Sequence, residues 1–348
     1  MISSPYERAK QSIFEEFEKF RSKIEPTENE KRSISASHTK MRTMLENSTD
    51  VKTVDTFLTG SYARDTMIRP LKDVDFIVQV HYGQHQNDTP MQLFNKISRI
   101  LRSAYPLTPI SITPPCITIK LSYCHLEVVP AIGFSDNEEL FKIPTVNGLG
   151  WQQTYPKIPA KWMTQENKQA GGLFKPTVKM LKRWRDVHKI PLKSFHLEML
   201  IRMAFSAYKI EDYADGVWAF FARTSSLLDL NKTQPFIPEP GTNNGYVDQY
   251  LYANPVLLAL VRYRIKTHFT YAQKAFDDMK KGQIGYAKYG WGKILGSGFY
   301  TPAILPPPPP PLFSPPSLLP PPVSTPSNTT LSAFLTELLK GKNNGEKS

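Results

Sequence analysis

Cysteine is nearly absent: Cys116 and Cys124 are the only two in 348 residues. Two cysteines build neither a disulfide framework nor a four-cysteine zinc site, and in a cytosolic setting both thiols are expected to stay reduced. No run approaches the ~18 apolar residues that span a bilayer. The opening stretch MISSPYERAKQSIFEEFEKF carries charges where a signal peptide needs an apolar core, so a cytoplasmic protein with no membrane attachment is expected. No GxxxxGK(S/T) motif occurs, which removes support for a P-loop nucleotide hydrolase. Acidic residues are also in the minority, with 31 Asp+Glu against 43 Lys+Arg, a formal net charge of +12. That balance favours phosphate-bearing partners without choosing between nucleotides and nucleic acid.

What is abundant is proline, and it is unevenly placed. Thirteen of the 31 prolines follow Thr301, in TPAILPPPPPPLFSPPSLLPPPVSTPSNTT. Proline lacks the amide donor and clashes with the preceding turn, so 302–330 reads as an extended tail prone to polyproline II. Beyond it, LSAFLTELLKGK (331–342) spaces Leu331, Phe334, Leu335, Leu338 and Leu339 as one helical face, which reads as a short docking helix or a frayed end. A polyproline spacer ending in an apolar segment suits attachment of a protein partner.

Upstream of the tail, 5–24 and 27–47 read as amphipathic helices. Val54–Leu58, Val74–Val80, Ile117–Leu121 and Leu126–Val129 read as strands, rich in β-branched and apolar residues. From Phe174 the pattern is helical, over 176–189, 195–208, 216–230 and a long segment around 253–281. The chain is therefore expected to be α+β, in three parts: 1–165 mixed, with N-terminal helices; 166–301 helical; and 302–348 a proline-rich tail.

The informative stretch is GSYARDTMIRPLKDVDFIVQV, residues 60–80. Gly60-Ser61 follows an apolar strand directly, and a glycine there lets the backbone approach a ligand while the next hydroxyl and amides hold a phosphate. Twelve residues after Ser61, Asp73-Val74-Asp75 heads a strand. Residues i and i+2 of a strand share a face, so Asp73 and Asp75 project together and Val74, Phe76 and Val78 point away. Paired carboxylates repel each other unless a cation lies between them, and a hard divalent ion such as Mg²⁺ takes oxygen ligands and bridges to phosphates. ITIKLSYCHLEVV (117–129) reads as a hairpin whose second strand offers Glu127 as a third carboxylate, provided that strand lies beside DVDFIVQV. Taken alone, the Asp pair reads more readily as a solvated strand end than as a metal site.

The ordered combination of strand, Gly-Ser, DxD on a strand and a further carboxylate strand ending in Pro130-Ala131 resembles the polymerase-β-like nucleotidyltransferases. KMLKRWRD (179–186), KSFHLEML (193–200) and GWGKILGSGF (290–299) narrow the resemblance to the cGAS/DncV-like nucleotidyltransferases (CD-NTases) of bacterial CBASS anti-phage systems, SMODS group. It runs from about residue 5 to 300 in the family's order.

That resemblance implies a mixed-sheet catalytic core, a C-terminal helical nucleotide-binding domain and a cleft between them. It implies that Asp73, Asp75 and Glu127 hold two Mg²⁺ ions, with Mn²⁺ as substitute, and that Gly60 and Ser61 contact the donor triphosphate. Lys182 matches the helix lysine that reaches the triphosphate, and Ser194 the residue contacting the phosphates opposite it. Phe195 takes the place of the base-stacking aromatic, often tyrosine in the family. The third carboxylate is aspartate in many relatives and glutamate here. The implied activity converts NTPs into a cyclic di- or trinucleotide second messenger read by a downstream effector. Two other readings stay open: transfer of nucleotides to an RNA end, and a catalytically silent ligand-sensing module.

Four residues outside this set carry weaker expectations. His81 and His85 stand four apart in a polar loop with no third metal ligand near, and His196 reads as a packed or hydrogen-bonded helix residue rather than a base. Asn167 is a candidate for base selection.

Overall fold

α1 (Pro5–Ile24) and α2 (Glu28–Glu46) are started by their caps. Ser4 Oγ accepts a hydrogen bond from the Glu7 amide at 3.1 Å, and Pro5 sits in the first turn, where its fixed φ fits. Thr27 and Glu30 form a reciprocal box in which each side chain accepts from the other's backbone amide. These features come from a computed structural model that describes residues 4–134, 139–229, 233–238 and 245–300. The proline-rich segment and the helix expected at 331–342 lie outside the described residues.

The chain then runs through β1 (Thr53–Leu58), one-turn α3 (Gly60–Ala63), β2 (Asp73–Val80), one-turn α4 (Tyr82–His85) and α5 (Pro90–Ala104). β3 (Ile110–Thr113), β4 (Cys116–Lys120), β5 (His125–Gly133), β6 (Phe141–Pro144) and β7 (Trp151–Thr154) follow. The helical part comprises α6 (Ile158–Gln169), α7 (Phe174–Val187), α8 (Ser194–Phe205), α9 (Tyr213–Leu227), one-turn α10 (Gln249–Tyr252), α11 (Pro255–Lys280) and α12 (Ile284–Leu295).

The sheet is mixed, in the order β1-β2-β5-β4-β3, with β6 added on β5 and β7 on β6. β2 and β5 are parallel and central, and their other neighbours are antiparallel. Ile117–Val128 is indeed a hairpin, with Thr118 opposite Glu127.

Alternation along β2 decides what each face does. Val74, Phe76, Val78 and Val80 are buried against α2 and α5, where Ile34, Met41, Leu45, Phe94 and Ile97 complete one apolar core. A second core gathers α1 with the helical part: Phe17, Phe20, Trp184, Phe220, Phe221 and Trp291 are all fully buried there. The first helix in sequence thus packs with the last ones, because its apolar stripe of Ile13, Phe17, Phe20 and Ile24 fits against α7, α11 and α12. No helix among the described residues is long and apolar enough to cross a membrane.

Candidate active site

The acidic wall of the site comes from strand pairing. The parallel β2–β5 register sets Asp75 opposite Glu127 and Asp73 opposite His125, so the third carboxylate lies beside the pair as its strand position required. Burial, reinforced by the neighbouring charges of Asp73 and Asp75, pushes the Glu127 carboxyl up to about 7. Asp75 is also raised, by burial first and Asp73 next, with Arg64 opposing. Two of three adjacent carboxyls therefore resist ionisation, as expected of a buried oxygen cluster whose members repel one another.

The turn after β1 is shaped around this wall. Gly60 has φ +62°, a conformation that disfavours side chains, and a Cβ placed on it would lie 1.7 Å from Asp75 Oδ2. The Thr59 amide donates to the Asp75 carbonyl at 2.9 Å, so the turn is also tied to β2 through the backbone. Glycine is required on both conformational and spatial grounds.

Gly60, Ser61, Asp73, Asp75 and Glu127 line a cavity of about 390 Å³ whose far side is supplied by α7 and α8 through Lys182, Ser194 and Phe195. All eight residues singled out from the sequence meet there. Side-chain placement adds detail. Asp73 Oδ1 is turned to His125 Nδ1 at 3.4 Å, and among the described residues no three His, Cys, Asp or Glu side chains converge closely enough to grip one ion as they stand. The donor set is nevertheless all-oxygen and anionic, the chemistry that a hard divalent cation requires.

The basic wall is more occupied than the sequence suggested. Lys182 is buried, with Nζ 2.8 Å from Thr66 Oγ1 and 2.7 Å from Glu198 Oε1. Burial pulls its ammonium down to about 8, with Glu198 the main opposing influence. Glu198 itself is fully buried and also pairs with Arg64 Nε at 2.9 Å. Burial works against its ionised form, but Lys182 and Arg64 together hold it below the usual carboxylate range. Ser194 opens α8 and accepts from Arg185 Nη1 at 2.8 Å, while Arg185 and Lys72 both pair with Asp186. The Arg64 guanidinium lies 5.8 Å from the Phe195 ring centre, and Trp162 stands 6.3 Å from that ring on another side.

Arg64, Glu198 and Arg185 went unassigned in the sequence. Arg64 falls within the quoted Gly-Ser segment and Glu198 within KSFHLEML, but nothing local marks them as partners.

The weaker candidates have other occupations. His85 Nδ1 is 2.8 Å from Asp88, and its Nε2 accepts from the Lys52 amide, so neither ring nitrogen is open to a metal. His196 is buried, with Nδ1 3.0 Å from the Tyr250 hydroxyl, and burial lowers it to about 4. Asn167 Oδ1 accepts from the Lys175 amide at 2.9 Å, fastening the turn before α7 rather than facing the cavity. Both cysteines are free and buried.

A mixed sheet with a carboxylate strand pair facing a helical wall is the CD-NTase fold. Among solved structures, E. coli CdnC with ATP superposes with a TM-score of 0.66 at 16% identity, over 83% of this chain and 99% of that one. Vibrio cholerae DncV, a cyclic AMP-GMP synthase described as a prokaryotic cGAS homologue, gives 0.66 at 13% identity, over 80% and 93%. Residues 12–167 match the Second Messenger Oligonucleotide or Dinucleotide Synthetase (SMODS) domain family. A cyclic AMP-AMP-AMP synthase of Acinetobacter sp. is 31% identical over 201 residues, 54% of this chain; the match spans 57% of that relative's length, little more than half.

Proposed function

We propose that this chain is a metal-dependent nucleotidyltransferase that joins nucleoside triphosphates into a cyclic di- or trinucleotide signal for anti-phage defence, releasing pyrophosphate. The observation that carries this reading is the meeting of the β2–β5 carboxylates, the Gly60-Ser61 turn and the α7 cations on one cavity. Its volume of about 390 Å³ falls within the range of small-ligand sites, roughly 300–1,000 Å³, which favours nucleotides over a long polymer as the bound species. The product named for the Acinetobacter relative makes adenine nucleotides the first substrates to examine.

Asp73, Asp75 and Glu127 would hold two Mg²⁺ ions, with Mn²⁺ as substitute. When bound, such ions lower the pKa of an attacking hydroxyl and offset the charge of the leaving pyrophosphate. The chain's own residues supply the rest. The missing side chain at Gly60 leaves room beside Asp75 for a phosphate, and the Ser61 hydroxyl and backbone amides donate to its oxygens. Arg64, Lys182 and Arg185 make the opposite wall positive towards the triphosphate, and Ser194 adds a hydroxyl. Phe195 stacks on a base but cannot hydrogen-bond to it.

In each step a ribose hydroxyl oxygen bonds to the α-phosphorus, the bond to pyrophosphate breaks, and the hydroxyl proton passes to a neighbouring carboxylate or water. A last step of the same kind closes the ring, and a downstream effector reads the product. In this reading 1–165 is the catalytic part and 166–301 the nucleotide-binding part.

The test is incubation with all four NTPs, each α-³²P-labelled in turn, with Mg²⁺ or Mn²⁺, followed by phosphatase and mass spectrometry. A phosphatase-resistant small product, absent from Asp73→Asn/Asp75→Asn, is the expected result. Label found only on added RNA would replace this reading with an RNA-end transferase.

A further inference from the structure

Among the described residues Glu198 is the one fully buried carboxylate that borders the cavity's cationic wall, and its partners come from two separate stretches of chain, 64–66 and α7. It sits one helical turn after Ser194 and Phe195 on α8, so its backbone is fixed by the same helix that carries two cavity residues. From there its carboxylate reaches Lys182 on α7 at 2.7 Å, and Arg64 Nε and Thr66 Oγ1, both beyond the Gly60-Ser61 turn, at 2.9 Å and 3.1 Å. Thr66 also takes a hydrogen bond from Lys182 at 2.8 Å, closing a ring of contacts among the three groups. Arg64, Thr66 and Lys182 line the cavity, whereas Glu198 lies behind them.

An unpaired buried carboxylate is strongly unfavourable, so an anion is retained at such a place only with its partners in position. We infer that Glu198 is a positioning residue for phosphate recognition: it holds Arg64 and Lys182 in the cavity wall and locks the Gly60–Thr66 segment to α7 and α8. This inference rests on the nucleotide reading above, since it assigns the wall's cations to a triphosphate.

Removing the carboxylate does not simply make the wall more positive. Burial already depresses Lys182, and Glu198 is the chief influence sustaining its charge, so without it the amine loses its proton more readily. Arg64 keeps its charge but loses its anchor. A weaker grip on phosphate is expected, with little change in contact with the base.

The experiment measures binding, not turnover, on the full chain. Affinity for ATP and for adenosine is compared in Ca²⁺ buffer for the unaltered protein, Glu198→Gln, Glu198→Asp, Arg64→Ala and the Arg64→Ala/Glu198→Gln pair. Glu198→Gln is expected to weaken ATP binding about tenfold while adenosine changes by less than about twofold. Glu198→Asp, which keeps the charge but withdraws it by one methylene, should fall between, and it carries the test if Glu198→Gln does not fold. In the Arg64→Ala background the Glu198→Gln effect should shrink, because one of the two groups it positions is gone. Equal loss for ATP and adenosine would make Glu198 merely structural and overturn the inference, as would ATP affinity unchanged in both Glu198 variants or losses that add in full. If the unaltered protein binds no nucleoside triphosphate, the nucleotide reading falls and takes this inference with it.

Discussion

The two walls of the cavity treat charge in opposite ways. On the sheet side Asp73, Asp75 and Glu127 stand together, and burial, reinforced by their mutual repulsion, raises the Asp75 and Glu127 carboxyls. Each described cation lining the cavity, by contrast, already has a carboxylate from α7 or α8: Lys182 and Arg64 share Glu198, and Arg185 and Lys72 share Asp186. One wall is an electrostatic deficit that Arg64 offsets in part and an incoming cation would relieve, and the other is assembled in advance. The same contrast separates function from stability, because the acidic wall strains the fold it belongs to while the basic wall binds elements together.

The largest effect should come from breaking the acidic wall. Asp73→Asn/Asp75→Asn is expected to abolish product formation, by about 10³-fold or more, while raising the melting temperature by about 1–3 °C through relief of repulsion. Parallel turnover and thermal-melt measurements check both signs. A fall in both would mean that the wall supports the fold.

Next is the turn that leaves room beside that wall. Gly60→Ala forces a side chain into positive φ and into the Asp75 carboxylate, so turnover should fall about 100-fold with a stability loss of about 1–3 kcal/mol. A steady-state assay beside a urea melt separates the two consequences. Mg²⁺ or Mn²⁺ at about 100 times its dissociation constant should raise stability by about 2.7 kcal/mol in the unaltered chain and leave Asp73→Asn/Asp75→Asn unmoved.

Acid should act in opposite senses on the acidic wall, where Glu127 raised to about 7 takes a proton more readily in the folded chain than in the unfolded one, and on two buried histidines. His196 and His268 are buried and lowered to about 4, so the unfolded chain binds protons that the folded chain does not between there and the ordinary value of 6.5. The histidines' contribution to stability is therefore full above about 6.5 and lost progressively as pH falls towards 4, at up to about 1.4 kcal/mol per pH unit for each histidine, while the Glu127 contribution grows as pH falls through 7. Urea titrations at stepped pH, repeated with His196→Gln, should show a shallower slope in the variant.

The acidic wall was legible in the sequence because strand periodicity is local: two residues apart means one face, and only the neighbouring strand remained to be supplied. The basic wall was legible only through resemblance. Glu198 and Arg64 are 134 positions apart, and a glutamate in an amphipathic helix looks the same whether it faces water or a buried lysine.

The unread elements have separate causes. α5 carries its signals locally, in its Thr89–Gln92 capping box, Pro90 and the Leu93, Phe94, Ile97, Leu101 stripe. β3, β6 and β7 are four-residue strands, too short for alternation to register. α12 is diluted by Gly285, Gly290 and Gly292, and Gly290 has a reason: a Cβ there would meet the Ala275 side chain of α11 at 2.7 Å, so it permits a close helix crossing.

The central claim is that the acidic wall exists to receive divalent cations with a nucleotide. The most direct measurement is Mn²⁺ binding stoichiometry, by electron paramagnetic resonance, in the presence of a non-hydrolysable ATP analogue. It compares the unaltered chain with Asp73→Asn/Asp75→Asn/Glu127→Gln and subtracts the Mn²⁺ held by the free analogue. Two ions per chain in the first and none in the second is the predicted result. Equal stoichiometry in both would contradict it and leave the three carboxylates as nothing more than the head of a strand pair.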